Sequence, residues 1–142
     1  MELRLGPFDP ALHVRSRDHY EAVRREAQLM ELGSREATPD LDELLEDMAK
    51  QFGVPPIDHA ADRAYLAGEQ SVEVTMTVPD ERVDALLRAC DELERLLDEL
   101  DRWTEASGAD FLEAPEDVKR YRRAYIGQIR SQLGASHTGS SA

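Results

Sequence analysis

Between Val83 and Leu100 apolar residues recur alternately three and four positions apart, at Val83, Leu86, Cys90, Leu93, Leu97 and Leu100. Leu87, Leu96 and Trp103 widen this stripe, while Asp84, Asp91, Glu92, Glu94, Asp98, Glu99 and Asp101 fill the positions between. The period predicts an amphipathic helix over about 79–103, with one broad buried face and a negative face in water.

The same rhythm predicts further helices on either side. Ser16 can cap one that runs to about Leu32, with Tyr20 and Val23 inward and Gly33 as its stop. Thr38-Pro39 supplies a cap and a first-turn proline for a second, with Leu44, Leu45, Met48 and Phe52 inward. Val54-Pro55-Pro56 is a stiff connector, and a short third helix follows over about 58–67. Pro115 opens the last helix, whose inward face is Val118, Tyr121, Tyr125, Ile129 and Leu133 and whose expected end is Gly134.

One segment breaks the helical period. Val72, Val74, Met76 and Val78 alternate with Glu73, Thr75 and Thr77, the pattern of a half-buried strand. Unpaired strand backbone needs a partner. Residues 2–5 or a second subunit can supply it, or 71–78 runs as an extended crossover on the helices. The expected fold is all-α, a four- to five-helix bundle with at most one short two-stranded or extended β element. Its parts are an N-terminal arm at 1–15, a helical domain at 16–134 and a disordered tail at 135–142.

Charge narrows the partners. Thirty Asp and Glu outnumber seventeen Lys and Arg, for a net charge of −13. Such a field disfavours nucleic acid and anionic membrane surfaces and suits a basic partner, or simply keeps the chain in solution. No run approaches the ~18 apolar residues of a membrane helix, and the N-terminus has no apolar leader, so a cytoplasmic protein is expected. The single cysteine, Cys90, lies in the apolar stripe and cannot form an internal disulfide.

The last helix departs from the acidic rule, with Lys119, Arg120, Arg122, Arg123 and Arg130 against Glu116 and Asp117. Two accounts fit. Its rim attracts that of the acidic helix packed antiparallel beside it, or the cluster is a docking surface. On the second account the partner-binding residues are Arg120, Arg122 and Arg123, with the acidic face at Glu94, Asp98 and Asp101.

Catalytic chemistry finds no constellation. His13, His19, His59 and His137 share no metal-ligand spacing, and Asp58-His59 with Asp62 reads as a solvated helix start. Glycines fall at helix ends and in the tail, without a phosphate loop or a Gly-x-Ser-x-Gly elbow. The expectation is a non-catalytic regulatory or adaptor module that needs no cofactor or metal and binds another protein. The alternative is a small-ligand or metal sensor with a pocket between helices near Trp103, Phe111, Tyr121 and Tyr125. The leucine stripe also suits a homodimer seam, although its extra width favours the core of one bundle.

Two C-terminal stretches carry a resemblance. One is Leu96-Leu97-Asp98-Glu99-Leu100-Asp101 with Phe111-Leu112 and Ala114-Pro115. The other is Val118-Lys119-Arg120-Tyr121-Arg122-Arg123-Ala124-Tyr125-Ile126-Gly127-Gln128-Ile129 with Gln132-Leu133-Gly134. Together with His13-Val14-Arg15, His19-Tyr20 and Arg24-Arg25-Glu26, they resemble a small family of acidic helical proteins from actinobacteria. Ala124 stands where that family's pattern has tryptophan, and Thr104 where it has cysteine. Members accompany anti-sigma-factor kinases, STAS-domain antagonists and PP2C-type phosphatases. The resemblance therefore implies a non-catalytic role in partner-switching signal transduction, with one of those proteins as partner.

Overall fold

The computed structural model describes residues 1–30, 37–53, 55–106 and 113–140. Among these residues the chain forms five α-helices and one two-stranded antiparallel sheet. In order they are β1 (Glu2–Phe8), α1 (Pro10–Met30), α2 (Ala37–Phe52), α3 (Pro56–Leu66), β2 (Val72–Thr77), α4 (Val83–Ala106) and α5 (Glu116–Ser140). A 3₁₀ turn at Asp80–Arg82 leads into α4. No helix of the described residues is long and apolar enough to cross a membrane.

The alternating segment is a paired strand, and its partner is the N-terminus. Leu3 lies opposite Met76 and Leu5 opposite Val74, with an irregularity between Leu5 and Phe8. The alternation puts Leu3, Leu5 and Phe8 in the core while Glu2 and Arg4 stay exposed. Met1 extends the ladder, its amino group donating to the Val78 carbonyl at 2.8 Å and its carbonyl accepting from the Val78 amide at 2.7 Å. On the other side of β1, α5 supplies two glutamines one helical turn apart. Gln132 Oε1 accepts the Arg4 amide at 2.8 Å and its Nε2 donates to the Arg4 carbonyl at 2.7 Å, while Gln128 Oε1 accepts the Gly6 amide at 2.9 Å. A strand edge that would otherwise invite a second chain is thus closed by side chains.

The first helix starts seven residues earlier than the Ser16 cap predicts. Asp9 Oδ1 accepts the Ala11 amide at 2.9 Å, and Pro10, which has no amide proton to satisfy, takes the first helical position. Residues 1–15 are therefore a core strand and a helix start, not an arm. The change matters for function because it brings His13 into the folded body.

At the other end α5 continues through Ser140, past the stop expected at Gly134 and into the segment expected to be a disordered tail. Gly134 does not adopt the left-handed backbone of a helix stop, and Leu133 beside it is fully buried.

Two apolar clusters fill the interior. The larger joins the sheet to α3, α4 and α5 through Leu3, Leu5, Ile57, Leu86, Cys90 and Leu133. The smaller, Val23 with Leu96 and Leu100, joins α1 to α4 with Leu44 and Trp103 packed against it. Leu93 and Leu97 on α4 touch both.

Candidate functional site: a cleft between the helices

Where the two clusters meet, α1, α4 and α5 do not close completely. They leave a cleft of about 270 Å³. Helical spacing builds each wall. Leu93 and Leu97 are one turn apart on α4 and form an aliphatic wall with Ile126. Tyr121 and Tyr125, one turn apart on α5, form an aromatic wall, their rings inclined by 24° with centroids 6.3 Å apart. Phe8 supports both rings from the sheet, edge-on to Tyr121 at 5.4 Å and tilted to Tyr125 at 5.8 Å. From α1, His13, Arg17 and Tyr20 share one face and form a third wall, with Leu45 of α2 and Asp58 of α3 at the margin of the open cleft.

The polar groups of this cleft converge on His13. Its Nε2 lies 2.8 Å from Asp58 Oδ1 at the start of α3, and its Nδ1 lies 2.5 Å from the Tyr121 hydroxyl. An ionised Asp58 only accepts, so Nε2 carries the proton, and in the neutral ring Nδ1 accepts from the Tyr121 O–H. Burial, with Tyr125 and Asp58 nearby, pushes the Tyr121 phenol well above its ordinary value, so it stays protonated. A phenol held in that state is a fixed hydrogen-bonding group and a poor nucleophile. Burial raises Tyr125 likewise. Tyr20 donates to Asp42 on α2, and burial followed by that contact raises its pKa also.

Two arginines reach the cleft, and each already has a carboxylate. Arg17 binds Asp62, with contacts of 2.9 and 3.1 Å. One Arg122 nitrogen lies 2.8 and 3.0 Å from the two oxygens of Asp101. The second pair is largely enclosed, its side chains 13% and 15% exposed.

These contacts redistribute the residues expected at a docking surface. Arg122 is tucked between helices, not exposed. Glu94 accepts Arg130 at 2.6 Å, with Asp91 also on Arg130 at 3.0 Å, and Lys119 reaches Glu105 at 3.5 Å. Rim attraction between α4 and α5 thus uses Arg122, Glu94 and Asp101, whereas Arg120, Arg123 and Asp98 remain on the surface. Of the four residues expected around a pocket, Tyr121 and Tyr125 line the cleft. Trp103 packs instead against Val23, Leu96 and Leu100, and Phe111 lies outside the described residues.

His13, Asp58, Arg17 and Tyr20 are the site residues that sequence reasoning missed. Their one local signal is the spacing of His13, Arg17 and Tyr20 by four and three, which places them on a single helix face.

Other hollows hold less chemistry. One between Asp98, Asp101 and Arg122 measures about 20 Å³, room for a single water. Among the described residues no group of three His, Cys, Asp or Glu is arranged around a metal position. Cys90 is buried, and burial pushes its thiol up to about 11. No protein-family model, curated protein or solved structure matches the chain.

Proposed function

We propose that this protein is a non-catalytic regulatory module that binds a small molecule in the cleft between α1, α4 and α5. The observation that carries this reading is the convergence of His13, Asp58 and Tyr121 on an otherwise apolar hollow of about 270 Å³. Ligand sites combine those two properties, apolar walls for affinity and a few placed polar groups for orientation, and this cleft lies just under the lower end of their usual range of about 300–1,000 Å³. Arg122 gives the site an output, since it lines the cleft and also holds Asp101 at the α4–α5 rim. A ligand that moves Arg122 disturbs its pair with Asp101 where α4 meets α5.

The test is a thermal-shift screen of small ring compounds against the wild type and Ser16→Phe. Ser16 is a small residue on the cleft wall, so phenylalanine fills the space from one side. A ligand at 100 times its Kd adds about 2.7 kcal/mol, which raises Tm by roughly 5–10 °C for a chain of this size. That shift is expected in the wild type and absent in Ser16→Phe. A library that moves both proteins equally, or neither, defeats the reading.

A second reading is a protein adaptor of the partner-switching kind that the resemblance implies, favoured by the exposure of Arg120 and Arg123 beside neighbours that pair inward. Reversing both charges, Arg120→Glu with Arg123→Glu, should weaken binding to an anti-sigma kinase, STAS-domain protein or phosphatase about tenfold and flatten its salt dependence. Calorimetric titration with each purified candidate reads both. Unchanged affinity and slope discard that surface.

A further inference from the structure

We infer that the ligand of the cleft is a small organic cation, an ammonium group carried on a single ring or a body of similar size. This rests on the cleft being a ligand site and adds its chemistry.

The charge inventory points that way first. Apart from His13, the charged side chains lining the cleft are Arg17, Arg122 and Asp58. Both arginines are bound by carboxylates of their own, Asp62 and Asp101. Asp58 is hydrogen-bonded, among the described residues, by the His13 imidazole. Arg17, bound by Asp62, also lies in the fields of Asp18 and Asp58, so three carboxylates act on one guanidinium. The cleft therefore has an excess of negative charge at its α3 end, inside a protein whose net charge of −13 draws cations toward it.

Hydrogen-bond polarity points the same way. With the Tyr121 proton given to His13 Nδ1, the phenol oxygen is left as an acceptor, and the second oxygen of Asp58 is an acceptor too. A cleft that offers acceptors selects a ligand that brings donors. The walls suit the remainder of such a molecule. The near-parallel faces of Tyr121 and Tyr125 attract a cation through their ring quadrupoles, and Leu93, Leu97 and Ile126 accept hydrocarbon opposite. Volume sets the scale, because a cavity of about 150 Å³ holds benzene and this one is not quite twice that. One ring with a short aminoalkyl arm, roughly ten non-hydrogen atoms, fits.

The test compares three probes of nearly equal shape, phenethylamine, 2-phenylethanol and phenylacetate, by ligand-observed NMR and calorimetry on the full chain. The expected order is amine above alcohol by about tenfold or more, with the carboxylate weakest. Asp58→Asn should bring the amine-to-alcohol ratio close to one, while the wild-type comparison stands without any variant. Equal binding of all three, or tightest binding of phenylacetate, overturns the cation assignment and leaves the ligand site standing. Binding of none, in a wild type that is also no different from Ser16→Phe, removes the ligand site itself.

Discussion

Gly6→Ala is expected to destabilise the protein by about 2–4 kcal/mol, lowering Tm by roughly 10 °C. Gly6 has φ of +112°, and a β-carbon there would lie 2.6 Å from the Val72 carbonyl oxygen and 3.2 Å from Glu73 Cα. Both are backbone atoms of the partner strand, so no side-chain rotation relieves the overlap. The positive φ alone costs a non-glycine residue about 1–3 kcal/mol. Damage spreads because Gly6 sits between the buried Leu5 and Phe8, and its amide is the donor to Gln128. Gly127→Ala is the matched control. Beyond the helix's own neighbouring backbone, no atom lies within 4 Å of a β-carbon placed at Gly127, in the interior of α5, so alanine should be neutral or stabilising by up to about 1 kcal/mol. Urea unfolding of the two variants checks the pair. A Gly6→Ala protein within 1 kcal/mol of wild type would mean that β1 does not follow this path.

What local pattern dictates was legible in the sequence. The α4 stripe places Val83, Leu86, Cys90, Leu96 and Leu100 in the core because a helix can bury one broad face whatever lies opposite. The β2 alternation is local too: Val72, Val74 and Met76 are half-buried while Glu73, Thr75 and Thr77 face water. Pairing was harder. The β1–β2 register joins residues some seventy positions apart, and periodicity carries no information across that distance. The start of α1 was written locally as Asp9-Pro10, a capping residue followed by a first-turn proline. The equally competent Ser16 drew the boundary inward.

The site was less legible for the same reason. Tyr121 and Tyr125 follow from helical spacing, but His13, Asp58 and Tyr121 come together only through the packing of α1, α3 and α5. Nothing within a short window marks Asp58 as more than a helix-start acid. Arg122 misled in a different way. Composition places arginine on the surface, whereas its actual depth is set by a carboxylate on the neighbouring helix.

That ion pair carries the second large expected effect. Arg122→Met keeps most of the side-chain stem against the cleft wall but removes the guanidinium from Asp101. Asp101 is then a charge only 15% exposed with its arginine gone, and the variant is expected to lose about 2–3 kcal/mol. The loss measures the orphaned carboxylate more than the worth of the pair, because desolvation offsets most of the attraction between enclosed ions. Combining Arg122→Met with Asp101→Leu should therefore recover more than half of it, giving a coupling of about 1–3 kcal/mol in a double-mutant cycle. Arg123→Met, one residue along and exposed, should stay within about 0.5 kcal/mol of wild type. Denaturant titration of the four variants separates these cases. If Arg122→Met costs no more than Arg123→Met, the guanidinium is not committed to Asp101. It would then be available to a partner or an anionic ligand, and the link between the cleft and the α4–α5 contact would be lost.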